Sequence, residues 1–238
     1  MSRREIVDTG YVVHRRRLRE TSLTLQLFTR EHGRFSVVAR GALGSRRRQA
    51  ATYLEFVVQE FAWSGRADMP TLVRAEPVAR PFRLEGMRLF SALYVNELVA
   101  RFVHRGEAND NYAAYEEVLQ ALAGDAPLEP ALRRFEVRLL EGCGYAMELT
   151  IGTDTGEALD DPVDYFYVPE HGPVTRRPTG PHRVVRGATL RALAGERAWD
   201  DERLAEAKRL MRFLVSHHLG GQPLTSRTMF MAEAPEDP

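Results

Sequence analysis

The sequence predicts an α+β protein in which a small five-stranded β-barrel precedes a helical domain. In residues 1–80, apolar and polar side chains alternate in short runs without a helical period. After Pro81, apolar residues recur at helical spacing. The charge also shifts: residues 1–80 hold 15 arginines and 8 acidic residues, whereas the whole chain is neutral. These changes predict a basic domain over 1–80 and a helical domain over 81–238, interrupted by an irregular insertion at about 146–184.

The predicted barrel strands are short runs rich in β-branched and aromatic residues. Ser22–Thr29 alternates apolar and polar side chains over most of its length, as a half-buried strand does. A predicted turn at Glu31–Gly33 joins it to the next strand as a hairpin. The predicted strands are Ile6–Val13 with a basic continuation to Arg19, Ser22–Thr29, Arg34–Arg40, Tyr53–Trp63 and Thr71–Glu76. Five short strands within about 80 residues are typical of a small closed barrel.

Helical periodicity governs most of the remaining sequence. Asn109 or Asp110 is suited to cap the second of these helices, and Gly220–Gly221 is suited to end the last. The predicted helices are Leu89–Arg105, Tyr112–Ala123, Pro130–Gly142, Thr189–Ala194 and Asp201–Leu219. Between them, the stretch at 146–184 is rich in Gly, Pro, Asp and Thr, which predicts irregular structure.

The composition excludes several classes of protein. Hydrophobic residues make up 44% and charged residues 28% of the 238 residues, which is typical of a folded globular chain rather than a disordered one. Cys143 is the single cysteine, so an internal disulfide and a cysteine-based zinc site are excluded within one chain. No apolar run approaches the ~20 residues of a membrane span, and the N-terminus lacks the apolar core of a signal peptide. We therefore expect a cytoplasmic protein with no membrane contact.

The sequence lacks the usual signatures of an enzyme. Lys208 is the only lysine, and no Gly-x-x-x-x-Gly motif precedes it, so we expect no phosphate-binding loop. Four aspartates cluster at 154–164, but they lie in the least regular part of the chain, which favours a solvated loop over a two-metal nuclease. These are Asp154, Asp160, Asp161 and Asp164. We expect no catalytic residue, no metal and no cofactor, and a metal-dependent nuclease is the weakest alternative.

The basic barrel is the positive signal for function. Small five-stranded barrels commonly bind single-stranded nucleic acid, with arginines along the backbone and aromatic rings stacked on the bases. The candidate DNA-binding residues are Arg15, Arg16, Arg17, Arg34, Arg40, Arg46, Arg47 and Arg48. The candidate aromatic residues are Tyr11, Phe28, Phe35, Tyr53 and Phe56, for which barrel core is the alternative. For the arginine triplets the alternative is a solvated surface.

The sequence resembles the bacterial recombination mediator RecO in a series of short motifs spread over about 220 residues. The order and spacing of these motifs make the resemblance fairly specific. They are Gly10–Val13, Glu20, Leu27–Thr29 and Gly33 in the opening hairpins; Val38–Ala42 as a basic "A-(K/R)-G-A" segment; Tyr94 and Glu97–Leu98; Phe135–Glu136, Leu139–Leu140 and Gly144–Tyr145; and His218–Arg227 as the C-terminal signature.

One motif departs from the family pattern. Many RecO proteins carry a zinc finger that opens with "GY.P.L..C..CG", and here Gly152 and Thr155 occupy the two cysteine positions. Neither residue binds zinc. The resemblance therefore implies a degenerate, metal-free version of the finger, which must hold its shape by packing, with Tyr165–Val168 as its apolar strand.

The resemblance implies an oligonucleotide-binding (OB) type barrel, a helical domain and no catalytic centre. Family members bind single- and double-stranded DNA, anneal complementary strands and work with RecR, and they help RecA replace single-strand-binding protein (SSB) on DNA. A nucleoid association follows from that role. The alternative function is a protein-interaction adaptor of the repair machinery with no DNA affinity of its own.

The helical domain offers candidate partner-binding arginines. SSB ends in an acidic tail with a terminal aromatic residue, which suits a hydrophobic groove rimmed by arginine. The candidates are Arg133, Arg134 and Arg138 beside Leu132, Phe135 and Leu139, or Arg209 and Arg212 beside Met211 and Phe213. The alternative for each is the solvated face of a core helix.

Overall fold

The structure, a computed structural model, describes residues 5–43, 53–65, 69–104 and 111–226. Its chain forms two compact units, one comprising Met1–Asp125 with Leu224–Pro238 and the other Ala126–Pro223. Two helices thus group with the barrel in the first unit. The predicted domain limits, 1–80 and 81–238, stay a prediction, because compactness does not show which part of a chain folds alone.

Five strands of the first unit close into a barrel, and five helices follow in the described part of the chain, which confirms the predicted fold class. The strand order around the barrel is β1-β2-β3-β5-β4. The strands are β1 (Glu5–Leu18), β2 (Ser22–Thr29), β3 (Gly33–Ala39), β4 (Gln59–Ser64) and β5 (Thr71–Pro77). The pairs are antiparallel except β3 with β5, which meet in parallel at Val38 and Thr71.

Alternation along β2 and β3 produces the barrel core. Leu23, Leu25 and Leu27 of β2 point inward and are buried, while the residues between them are half exposed or pack outside. Such a period of two is what a strand with one buried face requires. The core is completed by Val12, Phe35, Val37, Ala39, Ala42, Phe61, Trp63 and Leu72, with Tyr53 and Ala75 packed against it.

Aromatic side chains join the outside of the barrel to helix α2 (Asn111–Ala123). Tyr11 and Phe28 are cross-strand partners on β1 and β2, and both rings contact Tyr112 and Tyr115 with centroids 5.0–6.0 Å apart. The hydroxyl of Tyr115 donates a hydrogen bond of 2.6 Å to Asn96 Oδ1, on helix α1 (Gly86–Phe102). Burial of these rings supplies much of the free energy that holds α2 on the barrel.

The predicted long strand Tyr53–Trp63 is wrong in its first half. Only Gln59–Ser64 belongs to β4, because Phe56 has a φ of 61° and breaks the extended run. The peptide groups of this first half still find partners: Val78 and Phe82 donate backbone hydrogen bonds of 3.0 and 3.1 Å to the carbonyls of Val58 and Phe56. β-Branched and aromatic composition alone does not reveal this positive φ.

The C-terminal segment of the first unit is anchored on α1. The Glu97 carboxylate accepts hydrogen bonds of 2.8 Å from the backbone N–H groups of both Thr225 and Ser226. An acidic side chain is favourable there, because both N–H groups begin a helical turn. Two motifs that carry the resemblance to RecO therefore meet in space.

The second unit combines three helices with a small sheet. The helices are α3 (Leu128–Gly142), α4 (Gly187–Leu193) and α5 (Asp201–His218), and the strands are β6 (Asp164–Val168), β7 (Gly172–Val174) and β8 (Arg183–Arg186). The sheet has the order β7-β6-β8. The predicted insertion at 146–184 is thus more regular than expected, because Tyr165 and Tyr167 of β6 are buried and hold two short antiparallel neighbours.

Hydrogen bonds hold together the segment where zinc ligands stand in many RecO proteins. The Asp154 carboxylate accepts bonds of 2.9 and 2.7 Å from the backbone N–H and the hydroxyl of Thr175. The hydroxyl of Thr175 lowers the pKa of Asp154 below its usual range. Nearby, Thr153 donates its N–H and its hydroxyl to the Pro173 carbonyl at 2.8 and 3.0 Å. We call these contacts the Asp154–Thr175 clasp.

Residues at the two cysteine positions do not suit zinc. Gly152 has no side chain, and a Cβ atom placed there would lie 2.7 Å from Thr155 Oγ1, so the turn is packed for glycine. Its backbone N–H donates to the Glu157 carbonyl at 2.8 Å, and its carbonyl accepts from Gly156 at 2.7 Å. The turn is therefore closed by the backbone itself, and neither Gly152 nor Thr155 fits a zinc ion.

Candidate nucleic-acid interface

Arginines project from the end of β1 on both of its faces. Arg16 pairs with Thr24 of β2, outside the barrel, whereas Arg15 and Arg17 pair with Leu25 and Leu23, whose side chains point inward. All three arginines are nevertheless exposed. The end of β1 therefore extends past the covered part of the barrel, and its three consecutive cations are open to solvent.

A fourth arginine lies at the same end of the barrel. Arg40 directly follows β3 and is exposed. The chain after it returns to the β1–β2 turn, because the backbone N–H of Leu43 donates a hydrogen bond of 3.0 Å to the Thr21 carbonyl. We call Arg15, Arg16, Arg17 and Arg40 the basic rim. Arg46, Arg47 and Arg48 lie outside the described residues.

The charge of the basic rim is only weakly compensated. Among the described residues, none of its four arginines forms an ion pair, and Arg17 donates one long hydrogen bond of 3.5 Å to the Glu20 carbonyl. Glu55 lies near Arg15: burial raises the pKa of this carboxyl group, and the charge of Arg15 acts in the opposite direction. Exposed guanidinium groups with so little compensation suit a polyanion.

Arg34 differs from the other candidates because it has a structural role. Its Nε atom donates a hydrogen bond of 2.6 Å to the carbonyl of Val103, the residue that ends α1. This bond satisfies a carbonyl at the helix C-terminus, where a positive charge is also favourable. Arg34 therefore connects β3 to α1, and a DNA contact through the same group would compete with that bond.

The arginines of α3 occupy different environments. Arg133 is only 4% exposed, and its Nη2 atom lies 3.0 Å from the buried carboxylate of Glu136. Glu129 lies near both Arg133 and Lys208, at 3.7 and 2.5 Å. The predicted groove residues Leu132, Phe135 and Leu139 are buried as well. Arg134 is exposed and Arg138 half buried, so only these two of the three arginines reach the surface.

Helix α5 presents a more accessible surface. Arg209 and Arg212 are exposed, and Phe213 is half buried on the same side of the helix, because residues three and four apart are neighbours there. The guanidinium group of Arg183, on β8, lies 5.3 Å from the centre of the Phe213 ring. Met211, also predicted for the groove, is completely buried. We call Arg183, Arg209, Arg212 and Phe213 the α5 surface.

Two of the four acidic residues considered for a metal-dependent nuclease serve as structural partners. Asp154 belongs to the clasp, and Asp161 forms ion pairs of 3.0 and 2.8 Å with Arg191 and Arg197. The guanidinium of Arg197 is the main cause that holds the pKa of Asp161 below its usual range. A catalytic cation pair needs carboxylates that converge on one point with free oxygens. These acids do not provide that arrangement.

One group of side chains has ligand types and spacing that suit a cation. Asp8, Glu31 and His32 place ligand atoms within 4.8 Å of one another. Both Asp8 oxygens are already occupied: one accepts the Thr9 N–H, and the other accepts the N–H groups of Glu31 and His32 and lies 2.9 Å from His32 Nδ1. Burial favours a higher pKa for Asp8, but these hydrogen bonds outweigh it and lower the pKa. The carboxylate thus fixes the β2–β3 turn to β1.

Three polar interactions were not predicted from the sequence. They are the hydrogen bonds of Glu97 to the C-terminal segment, those of Asp8 to the β2–β3 turn, and the electrostatic interaction of Glu55 with Arg15. Glu97 had a signal, because it lies in a family motif. Asp8 and Glu55 had none, since each depends on partners distant in sequence or on the positive φ at Phe56.

Within the described residues, the helices are all too short or too polar to cross a membrane.

Comparison with known proteins identifies the family. The family model for the N-terminal part of recombination protein O matches residues 1–81, and the model for its C-terminal part matches residues 83–228. DNA repair protein RecO of Methylococcus capsulatus is 40% identical over 233 residues, which cover 97% of this chain and 95% of the relative. The RecO protein of Erwinia tasmaniensis is 38% identical over 231 residues, covering 96% and 94%. The chain therefore belongs to the RecO family of DNA repair proteins.

Proposed function

We propose that this protein is a non-enzymatic recombination mediator that binds single- and double-stranded DNA and anneals complementary strands. With RecR, it helps RecA load onto DNA coated with SSB, in the cytoplasm at the nucleoid. The observation that supports DNA binding most directly is the basic rim, where four exposed arginines lie at one end of the barrel and form no ion pair within the described part of the chain. RecR and RecA follow from family membership rather than from a particular surface of the molecule.

Salt dependence is the expected signature of this site. Each neutralised phosphate releases bound counterions, so the affinity falls as a power of the salt concentration. Four phosphate contacts on a single strand predict a loss of affinity of about 50-fold between 50 and 200 mM salt. A site that reads base edges through neutral hydrogen bonds would show a much weaker dependence.

The first test is a titration of a fluorescein-labelled oligonucleotide with the full-length protein, without metal or nucleotide, at two salt concentrations. Fluorescence anisotropy should report binding that weakens steeply with salt. An absence of binding at low salt would contradict the proposal and favour the adaptor function. Mixing two complementary strands, one with a donor and one with an acceptor dye, then tests annealing by energy transfer.

We propose further that the α5 surface receives the C-terminal tail of SSB. The tail is acidic and ends in an aromatic residue with a free carboxylate, and this chemistry suits a half-buried ring surrounded by guanidinium groups. The α5 surface offers both features, whereas the predicted groove residues on α3 are buried. Arg134 and Arg138 reach the surface of α3 and stay candidates for contacts with the tail. Arg133 is buried, so it is a candidate only for stabilising α3.

The double variant Arg209→Ala/Arg212→Ala should weaken binding of an acidic tail peptide by at least about tenfold, because two charge-assisted contacts of ~1 kcal/mol or more are lost. Isothermal titration calorimetry with the peptide measures the change. Arg176→Ala/Arg177→Ala removes the same charge from an exposed loop of the second unit and should leave the affinity unchanged. Equal losses in the two double variants would argue against a tail site on α5.

A further inference from the structure

Six of the seven aromatic residues of the barrel segment are buried, and the seventh is half buried. Residues 1–81 contain seven Phe, Tyr and Trp residues, and all seven fall within the described positions. Phe35, Phe61 and Trp63 belong to the barrel core, and Tyr53 packs against it. The remaining three, Tyr11, Phe28 and Phe56, are 1%, 0% and 7% exposed. Apart from the half-buried Tyr53, the barrel segment therefore presents to solvent no Phe, Tyr or Trp ring on which bases stack in other OB-type barrels.

Around the basic rim, β1, β2 and β3 present mainly cationic and polar side chains to solvent. The basic rim supplies four guanidinium groups. Beside it, Thr24, Gln26 and Ser36 lie half exposed on the outer face of β2 and β3. Arginine, hydroxyl and amide groups are the side chains that proteins direct to phosphate and sugar oxygens. This surface thus matches the backbone of a nucleic acid rather than its bases.

We propose that the barrel binds nucleic acid through the sugar-phosphate backbone alone and leaves the bases of the bound strand free. This inference rests on the proposed DNA binding and specifies its mode. Free bases keep their pairing edges available to a second strand, which is what annealing requires. A duplex presents the same phosphates, so the rim accommodates both forms of DNA without unstacking any base.

The test compares two labelled oligonucleotides of about 16 nucleotides, one of thymidines and one in which abasic spacers replace the central half. Full-length protein should bind both with dissociation constants within about threefold of each other and with the same salt slope. Stacking on rings would raise the affinity for the base-containing strand by about 5- to 150-fold per base. A preference above tenfold for that strand therefore overturns the inference while leaving DNA binding intact, whereas binding to neither strand overturns both.

Two variants address the other groups that stack on bases. Guanidinium planes and imidazole rings both do so in some complexes. Arg16→Ala should weaken the two oligonucleotides by the same factor, because it loses a phosphate contact. His14→Ala removes an exposed ring next to the rim and should change neither affinity. A loss confined to the base-containing strand, in either variant, would show base stacking and overturn the inference.

A fluorescent base gives an independent readout. In a strand that contains 2-aminopurine, protein that holds only the backbone should leave the fluorescence of that base as bright as in the free strand or brighter. Quenching at saturation would show that the base stacks on a side chain, which contradicts the proposed mode.

Discussion

Replacing Arg15, Arg16 and Arg17 together by alanine should weaken binding to single-stranded DNA by about 100-fold at 50 mM salt, as three phosphate contacts contribute ~1 kcal/mol each. The slope of log affinity against log salt should fall by about 2, because three fewer counterions are released. The three side chains are exposed on the projecting end of β1, so their removal leaves the barrel core intact. Fluorescence anisotropy over a salt series measures both quantities.

Arg74→Ala is the matched control for this loss. Arg74 lies on β5 of the same barrel, but its charge is already balanced by ion pairs of 2.9 and 3.0 Å with Glu60 and Glu76. Its removal should change the affinity by less than about twofold. If the triple variant kept the salt slope of the unmodified protein, the projecting end of β1 would not be the site, and the same series on Arg46, Arg47 and Arg48 would come next.

Tyr115→Ala should lower the free energy of unfolding by about 3–5 kcal/mol, the usual cost of removing a large buried ring. Tyr115 is completely buried and contacts both Tyr11 and Phe28, so the cavity would open between the barrel and α2. Tyr115→Phe keeps the ring and loses only the hydrogen bond to Asn96, which should cost about 1–2 kcal/mol.

Urea unfolding followed by Trp63 fluorescence measures these changes, because Trp63 lies in the barrel core. The half-buried Trp199 of the second unit is first replaced by phenylalanine, so that the signal reports on the first unit alone. A loss below ~1 kcal/mol for Tyr115→Ala would mean that the aromatic contacts do not hold α2 on the barrel.

The sequence predicted the fold well where local pattern and tertiary structure agree. The alternation in Ser22–Thr29 predicted β2 to the residue, since one face of that strand is core and the other is not. The predicted Tyr53–Trp63 strand failed in its first half because a positive φ at Phe56 has no signature in a β-branched and aromatic run. Strands β7 and β8 were not predicted, because they have only three and four residues and lie close to glycine and proline. Such short segments do not show the alternation of apolar and polar residues that identifies a strand.

The candidate site was less predictable than the fold. Exposure of Arg15, Arg16 and Arg17 follows from their position in a basic run at the end of a strand. The carbonyl that engages Arg34 lies 69 residues away, and no local pattern reveals such a partner. Arg133 looked like a surface cation, but α3 buries a wide face, and a buried carboxylate three residues later compensates the charge. Their roles in binding stay predictions.

The contacts of the Asp154–Thr175 clasp require neither a metal ion nor a thiolate. A finger held by zinc falls apart when a chelator removes the ion or when an oxidant converts its thiolates to disulfides. Neither a chelator nor an oxidant of this kind breaks the hydrogen bonds between the Asp154 carboxylate and Thr175. The clasp is sensitive to acid, because the pKa of Asp154 is lowered in the folded state. Protonation of Asp154 at low pH therefore removes the stability that the clasp provides at neutral pH. We therefore expect zinc shortage and peroxide stress to leave these contacts intact.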